Sequence, residues 1–258
     1  TRGLINLIEG NWAKSRRQLL HGARHSESPL INYLMAARAS YQLHEIDKMR
    51  EYLGAAEEAE SEAGIAVELT QAEMKLNSGQ YEQALATLVR ARRNASKHPY
   101  VLDLLRQAYV ELKDWDALEA LLPELKRHKV VDSAQLQSLS RTVHIKLLNQ
   151  SVVGDEKGGV DILRKRWQKM PTDMKRDPET LHNYVGLLNR HQAYDVSQKT
   201  ILTALKKEWD PELVKLYGYV EAQNSALQLS NAESWLSQHA TDPQLFLCLG
   251  RLSARESL

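Results

Sequence analysis

Nine histidines and a single cysteine are the side chains here best suited to metal or nucleophilic chemistry, and their spacing limits what they can do. His21 and His25 stand four apart, which on a helix puts two imidazoles on one face, half of a zinc site. Gly22 lies between them and Ser26-Glu27-Ser28-Pro29 follows at once, so the helix is expected to end there, and no third or fourth ligand is at hand. No metal site is expected. His98 precedes Pro99, and a rigid His-Pro turn could present an imidazole to a haem iron; the plainer reading is a boundary between two structural repeats. His128 and His144 sit among Lys126, Arg127, Lys129 and Lys146, as expected of solvated helix surface. Cys248 lies in the apolar run Leu245-Phe246-Leu247-Cys248-Leu249 and reads as a small buried hydrophobe without a neighbouring histidine to activate it.

The motifs of phosphate, dinucleotide and acyl-transfer chemistry are missing: there is no Gly-x-Gly-x-x-Gly, no Gly-x-x-x-x-Gly-Lys and no Gly-x-Ser-x-Gly. The chain is therefore expected to bind rather than to catalyse. With 34 basic and 33 acidic residues, its net charge of +1 gives no electrostatic basis for nucleic-acid binding. Basic side chains do cluster locally, at Arg90/Arg92/Arg93/Lys97, Lys126/Arg127/Lys129 and Arg164/Lys165/Arg166/Lys169. Such runs are usually solvated helix faces; together they could also form an interrupted ridge for an acidic partner or an anionic bilayer. One cysteine allows no intramolecular disulfide, and no segment has the roughly 20 apolar residues of a membrane span.

The elements that must carry these side chains announce themselves by repetition. Trp12, Ile46, Tyr81 and Trp115 fall 34, 35 and 34 residues apart, each just after a short polar turn such as Gly79-Gln80-Tyr81. Asp177-Pro178, Asp210-Pro211 and Asp242-Pro243 follow at intervals of 33 and 32, each opening another apolar helical segment. A period near 34 built from two helices is the tetratricopeptide (TPR) pattern. Asp before Pro suits a helix start, the aspartate as N-cap and the proline in the first turn.

Complete hairpins are expected over 30–58, over about 64–96, and from Pro99 through Trp115. The beat then slips: Trp115 to Tyr194 is 79 residues, about 11 more than two repeats. The excess lies in a long helix at about 133–150, the loop Gly154-Asp155-Glu156-Lys157-Gly158-Gly159 and a short helix near 160–170. We read 132–170 as a stretched hairpin inside one array spanning 1–258, with a flexible boundary between two lobes as the competing reading. The fold class is all-α, a TPR-like α-solenoid of about seven to eight helical hairpins in a right-handed superhelix. Both ends look cut: Leu4, Ile5 and Ile8 resemble the end of an unpaired helix, and the final face Leu245/Phe246/Leu249/Leu252 has no following partner. The acidic patch Glu57, Glu58, Glu60 and Glu62 reads as a solvated helix end.

In a TPR array the first helix of each hairpin lines the concave face. Counted from the turns, its outward positions are Arg38, Tyr41, Glu73, Asn77, Asp103, Gln107, His182, Arg190, Lys215 and Tyr219. The set is polar and of mixed sign, and it does not reproduce the ordered Lys/Asn/Arg clamp that some TPR proteins close on a chaperone's terminal carboxylates. Partner proteins are expected on this face.

Several runs resemble HemY-type proteins: Leu4-Ile5-Asn6-Leu7-Ile8-Glu9-Gly10-Asn11-Trp12, Pro29-Leu30-Ile31-Asn32-Tyr33-Leu34-Met35-Ala36-Ala37, and His98-Pro99-Tyr100-Val101-Leu102 continuing to Gln107-Ala108-Tyr109 and Trp115. Leu245-Phe246-Leu247-Cys248-Leu249-Gly250 resembles that family's late repeat. The resemblance implies the TPR region of a proteobacterial inner-membrane protein associated with late haem biosynthesis. Its soluble domain would face the cytoplasm, anchored by an N-terminal segment absent here. It implies a non-catalytic scaffold for protein partners, haem-pathway enzymes among them, with no resident cofactor. One alternative is a haem- or porphyrin-binding carrier or regulator, with His98, His182 and the apolar surroundings of Tyr217 and Tyr219 as first suspects. A generic envelope-assembly adaptor is another.

Overall fold

The computed structural model describes residues 2–60, 63–153 and 158–256. Among them the chain is helical throughout, with seventeen helical segments and no strand, consistent with an α-solenoid. Residues 154–157 of the Gly154–Gly159 loop, and Glu62 of the acidic patch, lie outside the described residues. The chain divides into two compact units, Thr1–Leu136 and Gln137–Leu258, the division falling in the first turn of the long helix foreseen at about 133–150.

The first unit is built from eight helices: α1 (Arg2–Ile8), α2 (Trp12–Ala23), α3 (Leu30–Gln42), α4 (Ile46–Ala59), α5 (Gly64–Asn77), α6 (Tyr81–Asn94), α7 (Pro99–Leu112) and α8 (Trp115–Arg127). Helices adjacent in sequence pack as antiparallel pairs, and α1 also touches α3, α3 touches α5 and α5 touches α7. Hairpins therefore stack with their first helices side by side. The periodic residues Trp12, Ile46, Tyr81 and Trp115 are the first residues of α2, α4, α6 and α8.

The turn itself explains the period. Two residues before each of these starts the backbone swings into the left-handed region: Gly10 at φ 78°, His44 at 57°, Gly79 at 75° and Lys113 at 57°. The following N–H then reaches back five residues, from Asn11 to the Asn6 carbonyl (2.8 Å), Glu45 to Ser40 (3.0 Å), Gln80 to Lys75 (2.9 Å) and Asp114 to Tyr109 (2.9 Å). This is the Schellman closure, which satisfies carbonyls a helix end would otherwise leave bare. One closure and one residue later the next helix begins.

The stripes then bury. Leu34, Leu53, Ala56, Val67 and Met74 form one cluster, and Leu88, Leu102, Leu105, Leu118, Leu121 and Leu125 are almost wholly inaccessible. At roughly 1.5–3 kcal/mol per fully buried large aliphatic side chain, these stripes hold the stack far more firmly than helix propensity does. The first helix corrects an expectation. α1 is paired, packing on α2 through Gly3 and Asn6, while Leu4, Ile5 and Ile8 are exposed. The approach is close because Gly3 lacks a Cβ, which would fall 2.8 Å from Leu19 Cγ, and Ser15 donates to the Gly3 carbonyl at 2.8 Å.

The second unit holds α9 (Ser133–Gln150, its first turn in the first unit), α10 (Gly159–Lys169), α11 (Thr172–Arg176), α12 (Pro178–Arg190), α13 (Tyr194–Leu205), α14 (Pro211–Tyr217), α15 (Ser225–Ser234), α16 (Leu236–His239) and α17 (Pro243–Glu256). The α12–α13 turn repeats the closure, with Gln192 at φ 57° and the Ala193 N–H on the Leu188 carbonyl at 2.8 Å. Two further expectations change. His144 is 3% exposed, on the buried face of α9 with Val143, Leu147 and Leu148, so it is not solvated surface. The buried face of α17 is Leu245, Cys248 and Leu252, against α14 and α15, and Phe246 points outward.

Candidate functional site

The ten side chains expected on the first-helix face fall into two sets. In the first unit Arg38 and Tyr41 lie on α3, Glu73 and Asn77 on α5, and Asp103 and Gln107 on α7. These helices sit side by side, and the side chains join them. The Arg38 guanidinium is ion-paired with Glu73, and the other Glu73 oxygen accepts from the Tyr100 hydroxyl. Tyr41 donates to the Ser78 hydroxyl, and Asp103 accepts from both Gln107 (2.9 Å) and Arg106 (2.8 Å). One carboxylate thus ties α3, α5 and α7 together. Tyr100 was missed because it sits in the first turn of its helix, outside the position count, and only the stacking brings it to Glu73.

Beside this network lies a cleft of about 230 Å³ lined by Leu7, Ile8, Trp12, Arg38, Gln42, Glu73, Met74 and Asn77. Arg38 stands over it with its side chain 36% exposed, and its Nε finds no hydrogen-bond partner among the described residues. The apolar floor comes from α1 and Trp12, the polar edge from α3 and α5. Lys75, on α5, donates to the Thr87 hydroxyl at 3.0 Å, and burial together with nearby Arg90 lowers its pKa. Such a surface suits an extended or helical protein segment with an apolar anchor and mixed charge.

In the second unit the aspartates before proline do double duty. Asp177 caps α12 through the Thr180 N–H (3.0 Å) and hydroxyl (2.9 Å) and holds the Arg141 guanidinium at 2.6–3.0 Å. Burial pushes the Asp177 carboxyl up, but hydrogen bonds from Arg141 and Thr180 outweigh it and hold its pKa below the ordinary value. Asp210 caps α14 through the Glu212 and Leu213 N–H groups and lies 2.6 Å from His182 Nε2. Asp242 accepts from the Gln244 N–H and from Trp209 Nε1, both at 2.8 Å. The three caps are thereby latched to Arg141 on α9, His182 on α12 and Trp209 in the turn before α14.

This places the haem-ligand candidates. His182 has Nε2 engaged by Asp210 at 2.6 Å, so an iron at that nitrogen would have to displace the contact. His98 is the exposed N-cap residue of α7, in the first unit, and Tyr217 is fully buried. Arg190 ends α12 and is exposed, Lys215 pairs with Glu212 at 2.8 Å, and Tyr219 lies beyond the end of α14 under the Arg251 guanidinium, 4.2 Å from its ring centre. His21 and His25 meet edge to face at 5.1 Å, and no group of three or more metal-ligating side chains occurs among the described residues. Of the basic clusters, Arg90 is paired with Glu68 and Arg92 with Glu124.

Residues 1–44 match the family model "HemY protein N-terminus". The chain is also 25% identical over 213 residues to Protein HemY of Escherichia coli K12, covering 83% of this chain and 53% of that one. Protein HemY of Shigella flexneri matches to the same extent. Both kinds of match support a HemY-type protein. The chain spans about half the length of these curated relatives. The HemY N-terminal match covers α1 to α3, and five of the eight residues lining the first-unit cleft, Leu7, Ile8, Trp12, Arg38 and Gln42, lie inside it. Among the described residues no helix is long and apolar enough to cross a membrane.

Proposed function

We propose that this chain is a non-catalytic, TPR-type docking region of a HemY-type protein. It binds partner proteins on the first-helix face and works in late haem biosynthesis at the cytoplasmic side of the bacterial inner membrane. In this reading the stacked hairpins continue the right-handed TPR superhelix. The supporting observation is the cleft between α1, α2, α3 and α5. It combines an apolar floor with the Arg38–Glu73 pair, and most of its lining falls within the HemY N-terminal match. Its charged side chains are held in place for recognition: the Glu73 carboxylate has two partners, Arg38 and Tyr100, and the Arg38 side chain is 36% exposed beside them.

The test is direct binding between the chain and purified late haem-pathway enzymes, using the native chain and Arg38→Glu. The reading expects saturable binding to at least one enzyme and its loss on charge reversal. Equal binding by the two proteins would remove the cleft from the account.

A further inference from the structure

A larger cleft, about 730 Å³, opens within the second unit between α10, α11, α12, α13 and the start of α14. None of the expected partner-binding residues lines it. Its volume lies within the roughly 300–1,000 Å³ of small-molecule sites.

Two indoles, Trp167 and Trp209, stand in its wall, and each is held from behind. Trp167 stacks on Tyr184 with ring centres 4.0 Å apart and planes within 1°. Trp209 stacks on His239 at 3.6 Å, meets Trp235 edge-on at 5.7 Å, and is pinned through Nε1 to Asp242. The apolar wall is therefore set before any ligand arrives, which lowers the ordering cost of binding.

The polar lining is cationic: Lys175, Arg176, Lys199 and Lys207 face Glu208 and Asp210. Asp210 is already committed to its cap and to His182, which leaves Glu208 as the one acid without such a task. Lys175 donates to the Gln168 carbonyl, a neutral partner, at 2.8 Å. Among the described residues Arg176, Lys199 and Lys207 take part in no ion pair. Unpaired cations beside a rigid aromatic wall call for an anionic head on an apolar body.

We propose that this cleft is a binding site for an anionic amphiphile, an apolar body carrying a carboxylate, sulfonate or phosphate. The proposal does not rest on the docking role of the first unit. The apolar body lies against Trp167 and Trp209, and the anionic head lies among Arg176, Lys199 and Lys207. A free amphiphile and the headgroup of a bilayer lipid share this chemistry; a concave volume in the range of small-molecule sites favours the free molecule.

The test is a fluorescence titration of the chain with dansyl-labelled undecanoate below its micellar concentration, beside its methyl ester and beside anionic lipid vesicles. The proposal expects saturable one-to-one binding of the acid and at least ten-fold weaker binding of the ester. The double variant Lys199→Glu/Lys207→Glu, both positions exposed on the surface, loses at least ten-fold in affinity. Thr203→Trp, which fills the cleft without touching its charges, abolishes binding, and unchanged circular dichroism shows that both variants fold. Equal affinity for acid and ester, or binding insensitive to both variants, overturns the proposal. Binding to vesicles alone overturns it in favour of a bilayer contact.

Discussion

Replacing Asp177 should uncouple two jobs performed by one carboxylate. The group is 4% exposed, caps α12 and accepts three hydrogen bonds from Arg141 across 36 residues of sequence. Loss of an N-cap acceptor costs about 1 kcal/mol. Loss of charge-assisted bonds to a nearly buried carboxylate adds roughly 1.5–3 kcal/mol, and toward the lower end because a third of the Arg141 side chain reaches solvent. Asp177→Ala is therefore expected to destabilise the second unit by about 2–4 kcal/mol, a fall in urea midpoint of about 1–2 M at a slope near 2 kcal/mol per M. Asp177→Asn keeps a capping oxygen and loses the charge, so it should cost about 1 kcal/mol less than Ala. The assay is urea unfolding followed by circular dichroism, with hydrogen exchange on α12 locating the loss. The pH dependence follows from the sign of the shift. A carboxyl held below its ordinary 3.8 contributes stability above that value, and the contribution disappears as pH falls through the folded-state pKa. The gap between native chain and Asp177→Asn should accordingly close in acid. An Asn variant as damaged as Ala, or a gap that persists at low pH, would refute this division of labour.

The left-handed turn residues make a second test. Lys113→Gly and His44→Gly should each raise stability by about 0.5–1 kcal/mol, because a Cβ is disfavoured at φ 57°. Gly79→Ala, in open space at φ 75°, should lower it by about 1 kcal/mol through backbone strain alone. Burial pushes the Cys248 thiol up to about 12, so thiol reagents should modify the folded chain only as fast as it unfolds. Gly218→Ala, whose Cβ would meet the Cys248 Cα at 3.1 Å, should cost about 1–3 kcal/mol and speed that modification. A haem or protoporphyrin titration should give no Soret shift that depends on His98 or His182. A saturable shift near one equivalent, lost in His98→Ala or His182→Ala, would favour a carrier instead.

How much was legible follows from where the information lies. The starts at Trp12, Ile46, Tyr81, Trp115 and Tyr194 were readable because a repeating turn places similar residues at one register. So were the Asp-Pro caps, whose chemistry is local. The turn's own cause was not, because before these five starts the left-handed residue is His44, Lys113 or Gln192 in three cases and glycine in only two. Apolar counting also misjudged both ends of the chain. α1 packs through Gly3 and Asn6, a close-approach face that hydrophobicity does not mark, and in α17 the buried stripe runs through Cys248 rather than Phe246. The latches Arg141–Asp177, His182–Asp210 and Trp209–Asp242 join residues 28 to 36 apart and exist only once hairpins stack. The same holds for Glu73 with Tyr100, and for both clefts.

The central claim is that the first-helix face docks partner proteins. The measurement is equilibrium binding of the chain to each purified late haem-pathway enzyme, by interferometry, with Arg38→Glu and Asn77→Arg alongside. The account predicts saturable binding to at least one enzyme with Kd below about 10 µM, weakened ten-fold or more by each variant. Binding to none of them at about 100 µM, or binding untouched by both variants, would contradict it.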